Sequence, residues 1–209
     1  MADFSSTLKQ HPLIAILRGI TTADVIDIAT VLIEKKFTII EIPLNSPNPI
    51  ESIRLLANRF GDDALIGAGT VTDTASVRLI AEAGGKLVVM PNGNKDVVQA
   101  AKGRGLTAIP GIATPTEAFA MIEAGADALK LFPAEGIPPT ALKAMKAVLP
   151  YTLPILPVGG ITPERMVEYQ KAGASGFGLG SALYKPGMSV SEVEHNANQF
   201  NQALILNSL

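Results

Sequence analysis

The chain has 209 residues, a formal net charge of −2 and no cysteine, and 47% of its residues are hydrophobic. This length favours one domain, so we take residues 1–209 as a single unit. The Lys and Arg residues are scattered, which gives no support for nucleic-acid binding. No apolar run approaches the ~20 residues that a membrane span needs. The absence of cysteine excludes disulfide and thiolate chemistry.

The sequence also bears on cellular location and on metal binding. The amino-terminal segment MADFSSTLKQHP contains no apolar signal-peptide core, and we therefore expect a cytoplasmic protein. The two histidines, His11 and His195, lie near opposite ends of the chain. Because a metal site needs clustered ligands, we expect no metal.

Short apolar runs alternate with amphipathic stretches along the chain. The runs are bounded by Gly, Pro, Asn or Thr, and such runs are typical of buried parallel strands. The runs are LIAILR (13–18), TIIEIP (38–43), ALIGAG (64–69), KLVVMP (86–91), LTAIPG (106–111), DALKLF (127–132), PILPVG (154–159) and SGFGLG (175–180).

The stretches between these runs carry helix start and stop signals. Thr, Asp or Pro stands at the entry to predicted helices over residues 21–35, 73–83, 115–124 and 163–172. The exits EAGG (82–85), EAGA (123–126) and KAGA (171–174) place glycine where a left-handed cap is needed. Eight strand–helix units predict an α/β fold, a single (β/α)8 TIM barrel after a short amino-terminal segment. A doubly wound open sheet is the alternative, which the even spacing of the units disfavours.

Two charged residues interrupt the apolar interiors of predicted strands. Lys130 lies in ALKLF, and its strand faces that of Glu41, in IIEIP, across an eight-stranded barrel. Side-chain alternation predicts that both point inwards. Burial lowers the pKa of a lysine and so supplies the neutral amine that Schiff-base formation requires. The pair predicts a nucleophile with an acid/base partner, and the alternative is a purely structural buried ion pair.

Polar groups at other strand ends indicate an anionic substrate. Arg18 ends the first predicted strand and fits a substrate carboxylate, unless it pairs with a loop carboxylate. The glycine-rich segments VGGIT (158–162) and GLGSAL (178–183) follow the last two strands, where barrels usually bind phosphate, although each alone is often only a tight turn. GAGT (67–70) lacks the full dinucleotide-binding spacing, so we expect no nucleotide cofactor.

These motifs make the chain resemble the class I aldolases of 2-keto-3-deoxy-6-phosphosugar acids. The resemblance covers residues 13–184 and is carried by IEIPL (40–44), GAGTV (67–71), PGIAT (110–114), KLFPAE (130–135), VGGIT (158–162) and GLGSALY (178–184). It implies a Schiff base on Lys130, with Glu41 as general acid/base. It further implies that Arg18 and Thr70 contact the substrate carboxylate. The residues expected at the phosphate are Gly159, Gly160, Gly180 and Ser181.

The same resemblance implies a homotrimer that uses no cofactor and cleaves a phosphorylated sugar acid to pyruvate and D-glyceraldehyde 3-phosphate. Members that act on the gluconate epimer usually carry Arg and Thr where this chain has Asn45 and Val158. ILRG, IPLNSP and PVGGI are similar to the galactonate branch, so we expect the 6-phosphogalactonate acid as substrate. The gluconate epimer, or both epimers, is the alternative.

Two functions of other kinds remain open for such a barrel. One is an isomerase or synthase that uses the phosphate site without a covalent lysine. The other is a phosphosugar-binding protein without catalysis. The predicted inward-facing pair of Lys130 and Glu41 argues against both.

Overall fold

The computed structural model describes the backbone of residues 3–206 and the side chains of residues 3–204, in which strands and helices alternate. The strands are β1 (Leu13–Ile16), β2 (Ile39–Pro43), β3 (Leu65–Gly69), β4 (Leu87–Val89), β5 (Thr107–Ile109), β6 (Gly111–Ile112), β7 (Leu129–Leu131), β8 (Ile155–Pro157) and β9 (Phe177–Leu179). The helices are α1 (Phe4–Gln10), α2 (Val25–Glu34), α3 (Pro49–Phe60), α4 (Thr74–Glu82), α5 (Lys95–Lys102), α6 (Pro115–Glu123), α7 (Pro139–Lys146), α8 (Pro163–Lys171) and α9 (Val190–Leu206).

The strands pair in parallel and form a curled sheet. Six of them follow the order β5-β4-β3-β2-β1-β9, and three others follow the order β6-β7-β8. A parallel bridge between Val158 and Gly178 joins the second group to β9. Parallel strands with helical connections make this an α/β fold, and they bring the carboxyl ends of the strands to one edge.

The fifth predicted strand, residues 106–111, is divided into β5 and β6 by Pro110. Proline has no N–H to donate to a neighbouring strand, so the ladder is interrupted there. The Pro110 carbonyl still accepts a hydrogen bond from the Lys130 backbone N–H at 2.8 Å. The prediction of one continuous strand was therefore wrong, but the chain direction is preserved across the break.

Alternate strand residues pack in two separate cores. Outward-facing side chains such as Ile40 and Leu129 pack in the larger core with the helices. Inward-facing side chains such as Ile39 and Leu65 form a smaller core with Phe4 of α1. The amino-terminal segment, for which we predicted no structure, thus forms a helix that fills the interior near the amino ends of the strands. Polar inward-facing residues lie towards the opposite, carboxyl end.

The predicted helix ends agree with the structure at three exits. Gly84, Gly125 and Gly173 have positive φ angles of 86°, 97° and 98°, as left-handed caps require. The predicted helix over residues 21–35 begins later, at Val25, because residues 22–24 form a turn. No helix in the described part of the chain is long and apolar enough to cross a membrane.

Candidate active site

Lys130 lies in the middle of β7 and is 5% exposed. Its neighbours Leu129 and Leu131 pack in the larger core with the helices, so the lysine points inwards, as side-chain alternation predicted. Its Nζ lies 4.7 Å from the centroid of the Phe132 ring. Desolvation lowers the pKa of Lys130, and the positive charge of Arg18 lowers it further, against the opposing effect of Glu41. A lowered pKa increases the fraction of the amine that is neutral and nucleophilic.

Glu41 lies in the middle of β2 and is 1% exposed. Its Oε2 atom is buried and has no hydrogen-bond partner among the described residues. Burial raises the pKa of Glu41 to about 7, although the charges of Lys130 and Arg18 act in the opposite direction. A carboxyl group with a pKa near neutrality can both donate and accept a proton at physiological pH.

Lys130 and Glu41 are electrostatically coupled without forming a close ion pair. Each appears among the charges that shift the pKa of the other. None of the ion pairs between described residues includes either of them. The pair therefore does not match a structural salt bridge.

A cavity of about 420 Å³ opens at the carboxyl ends of β1, β7, β8 and β9. Of the residues predicted for the site, those that line it are Arg18, Lys130, Val158, Gly159, Gly160, Gly180 and Ser181. Glu41, Asn45 and Thr70 are not part of this lining. Glu41 interacts electrostatically with Lys130, which lines the cavity. Asn45 accepts a hydrogen bond from Arg18, which also lines the cavity. Most of the predicted site is therefore brought together.

Arg18 lies in the turn after β1, because the strand ends at Ile16, earlier than predicted. Its Nη1 donates a hydrogen bond of 2.8 Å to Oδ1 of Asn45, in the turn after the adjacent β2. The partner of Arg18 is thus a neutral amide and not the loop carboxylate that we considered as the alternative. The amide orients the guanidinium without neutralising its charge, which leaves it able to attract an anion.

Thr70 directly follows β3 and has a φ angle of 57°. This left-handed conformation is uncommon for a β-branched residue and is characteristic of functional or strained positions. The preceding Gly69 borders the carboxylate of Glu41. Thr70 therefore directly follows the residue that borders Glu41.

The glycine turn that follows β8 lines the cavity. Gly159 and Gly160 have positive φ angles of 107° and 58°, a region that favours glycine. Val158, just before them, is 8% exposed and packs towards β9, since a Cβ placed at Gly178 would lie 2.7 Å from its Cγ2. Gly180 has open space beside it, and Ser181 is exposed.

Four polar residues that line the cavity were not predicted from the sequence, namely Glu135, Thr162, Tyr184 and Lys185. Glu135 ends the KLFPAE motif, Thr162 ends VGGIT, and the other two follow GLGSAL. Their positions a few residues beyond strand ends were the available signal, because loops after parallel strands carry barrel sites. Within the described residues, no group of three or more His, Cys, Asp or Glu is arranged to hold a metal ion.

Comparison with known proteins places the chain in a family. The family model for "KDPG and KHG aldolase" matches residues 4–199. The chain belongs to the KDPG and KHG aldolase family. As an aldolase of this family it is a carbon–carbon lyase.

Individual members of the KDPG and KHG aldolase family are similar to this chain over about four fifths of its length or more. The 2-dehydro-3-deoxy-6-phosphogalactonate aldolase of Escherichia coli strain K12 is 46% identical over 92% of this chain and 94% of its own. The 2-dehydro-3-deoxy-phosphogluconate aldolase of Zymomonas mobilis is 31% identical over 81% of this chain and 80% of its own. A solved structure described as native KDPGal has a TM-score of 0.93 at 45% identity, over 94% of this chain and 96% of that one.

Proposed function

We propose that this aldolase cleaves 2-dehydro-3-deoxy-6-phosphogalactonate to pyruvate and D-glyceraldehyde 3-phosphate through a Schiff base on Lys130. The observation that carries the proposal is the buried pair of Lys130 and Glu41. Burial moves the pKa of each towards neutrality, downwards for the lysine and upwards for the glutamate. Two groups poised in this way can act as nucleophile and as general acid/base in the same catalytic cycle.

The cleavage proceeds by covalent catalysis. The Lys130 amine attacks the C2 ketone of the substrate, and loss of water gives a protonated imine. Glu41, directly or through a water molecule, takes the proton of the C4 hydroxyl. The C3–C4 bond then breaks, and the iminium accepts its electron pair. D-Glyceraldehyde 3-phosphate leaves, Glu41 helps to return a proton to C3 of the enamine, and hydrolysis releases pyruvate.

The two charged ends of the substrate are held at different places. Arg18 binds the carboxylate next to the imine carbon, which fits a cavity with Arg18 and Lys130 in its lining. Thr70 contributes a hydroxyl to the same carboxylate, and it directly follows the glycine that borders Glu41. The phosphate is bound by the turns after β8 and β9, through Gly159, Gly160, Gly180 and Ser181. Binding the remote phosphate orients C4 against Glu41, which lowers the entropic part of the barrier.

The galactonate epimer is the proposed substrate because of two positions and one comparison. Val158 offers no hydroxyl at the inward-facing end of β8, where C4 would lie, and Asn45 supports Arg18 without adding a charge. The relative named for 6-phosphogalactonate is also more similar to this chain than the relative named for phosphogluconate, at 46% against 31% identity. The two substrates differ at C4, so a side chain near C4 can discriminate between them.

One pair of assays tests the proposal. Borohydride added with pyruvate should attach a reduced pyruvoyl group to the peptide that contains Lys130, as read by mass spectrometry, and Lys130→Met should abolish the adduct. Pyruvate release from the two purified epimers should then be faster from the galactonate acid. An inactivated enzyme with unmodified Lys130 would exclude the Schiff-base mechanism, and faster release from the gluconate acid would exclude the substrate assignment.

Three further features belong to the same proposal. We infer that residues 1–209 form one (β/α)8 barrel, supported by β5 and β6 continuing across Pro110 and by the bridge that joins β8 to β9. A homotrimer is supported by the family resemblance, and light scattering should give about three times the chain mass of 21.8 kDa. A cytoplasmic location fits a phosphorylated substrate, because phosphate esters do not cross membranes unaided.

A further inference from the structure

The side chain of Glu135 lies against the glycine turn that our proposal assigns to the phosphate. A Cβ placed at Gly159 would overlap the carboxylate of Glu135. A Cβ placed at Gly160 would lie 2.6 Å from Cγ of Glu135. The two glycines are thus needed for space as well as for their φ angles. A negatively charged group therefore lies where the assigned ligand is also negatively charged.

A set of hydrogen bonds keeps Glu135 next to this turn. Arg165, at the start of α8, donates from Nη1 to the Gly160 carbonyl at 2.7 Å and from Nη2 to the Ala134 carbonyl at 3.4 Å. The Tyr169 hydroxyl also donates to the Ala134 carbonyl, at 2.7 Å. The loop that carries Glu135 is therefore tied to the glycine turn, so its carboxylate cannot move far by displacement of the backbone.

None of the ion pairs between described residues includes Glu135. The Arg165 guanidinium lies at the same turn, since a Cβ placed at Gly160 would be 2.7 Å from its Nη1, but it forms no salt bridge with Glu135. The side chain of Glu135 lines the same 420 Å³ cavity as Lys130 and the two glycines. A carboxylate beside a bound phosphate destabilises the complex, because like charges a few ångströms apart repel even where water partly screens them.

We propose that the Glu135 carboxylate is an internal competitor for the phosphate position of this aldolase. The phosphate of the substrate must displace the carboxylate from the glycine turn, and the carboxylate returns when the phosphorylated product leaves. Glu135 thereby weakens phosphate binding and limits product retention. The inference rests on the proposed assignment of Gly159 and Gly160 to the phosphate.

The test is the dissociation constant of inorganic phosphate, measured by titration calorimetry on the full chain. Glu135→Gln keeps the shape of the side chain and removes its charge, so it should bind phosphate roughly tenfold more tightly, equivalent to about 1.4 kcal/mol. Glu168→Gln is the matched control, since it makes the same change of net charge at an exposed position of α8 outside the cavity lining. Its affinity for phosphate should equal that of the wild type.

A second variant separates the effect of the Glu135 charge from that of a folding defect. Glu135→Asp keeps the charge but withdraws it by one methylene, so it should bind phosphate with an affinity between those of the wild type and Glu135→Gln. Unchanged or weaker binding by Glu135→Gln, an equal gain in Glu168→Gln, or no phosphate binding by any variant would overturn the inference. Trapping of pyruvate on wild-type Lys130 is read separately, because pyruvate carries no phosphate, and its failure would count against the proposed function instead.

Discussion

The carboxylate of Glu41 occupies the space that a side chain at Gly69 would need. The two residues lie on the neighbouring strands β2 and β3, and a Cβ placed at Gly69 would overlap the carboxylate atoms. The GAGT and IEIP motifs are therefore in close contact, through Gly69 and Glu41. The absence of a side chain at Gly69, which ends β3, leaves room for the buried carboxylate of Glu41.

Gly69→Ala should consequently impair catalysis more than folding. Displacement of Glu41 should lower kcat for pyruvate release by at least tenfold, since general acid–base catalysis typically contributes 10²–10⁴-fold. Overpacking should cost about 1–3 kcal/mol of the free energy of unfolding. Steady-state kinetics and urea unfolding measure the two effects. Gly136→Ala is the control, because the nearest atom to its added Cβ lies 3.8 Å away. Equal kcat in Gly69→Ala and the wild type would contradict the coupling.

Glu41→Gln should separate imine formation from cleavage. The variant keeps the size of the side chain but cannot accept a proton, so cleavage should fall by about 10²–10⁴-fold. Borohydride with pyruvate should still label Lys130 to a measurable extent, since attack on the ketone needs the lysine amine first. Cleavage at a rate near that of the wild type would show that Glu41 is a structural carboxylate only.

The same residue predicts how stability depends on pH. The pKa of Glu41 is raised in the folded protein from 4.5 to about 7, so the folded state binds more protons than the unfolded state between these values. The stabilisation is complete below about pH 4.5 and is lost as the pH rises through about 7. The glutamine in Glu41→Gln does not titrate, so the variant lacks this loss of stability. The free energy of unfolding of the variant relative to that of the wild type should therefore rise by up to about 3 kcal/mol from pH 4.5 to 8. Urea unfolding across this range measures the difference, and parallel profiles would refute the raised pKa.

Arg18→Ala should weaken the binding of pyruvate. A hydrogen bond to a charged group contributes roughly 1.5–3 kcal/mol, which corresponds to about a ten- to hundredfold loss of affinity. The measurement is the pyruvate concentration that gives half-maximal borohydride inactivation. Arg78→Ala serves as control, because Arg78 pairs with Glu82 on the exposed face of α4. Unchanged pyruvate affinity in a folded Arg18→Ala variant would remove Arg18 from the carboxylate site.

Val158→Thr should shift the preference between the two epimers. Threonine has nearly the shape of valine but can hydrogen-bond a hydroxyl near C4. One such bond is worth about 0.5–1.5 kcal/mol net, so the ratio of kcat/KM should move towards the gluconate acid by roughly two- to tenfold. Both epimers are assayed with wild type and variant under the same conditions. A constant ratio would mean that the selectivity lies at other residues.

The local sequence was sufficient to predict the parts of the site that lie on strands. A lone Lys or Glu inside an apolar strand has a face assigned by alternation, and Lys130 and Glu41 are both inward-facing and buried. The exact strand ends were less predictable, because Pro110 interrupts the ladder and Arg18 lies beyond β1. Contacts between loops were not predictable at all. The bond from Arg18 to Asn45 depends on loop conformations set by long-range packing, which no local pattern encodes.

The helix α1 has a consequence for the order of events in the site. Phe4 and Leu8 close the interior at the amino ends of the strands, so the cavity at the carboxyl ends is the route to Lys130. Both products of the proposed cleavage leave through this cavity. The pyruvoyl fragment is held covalently on Lys130, and the phosphorylated aldehyde lies nearer the opening. In that cleavage the aldehyde leaves first, because the enamine must be protonated before the imine can be hydrolysed to release pyruvate. Since α1 closes the amino ends of the strands, the two products leave in turn through the same opening.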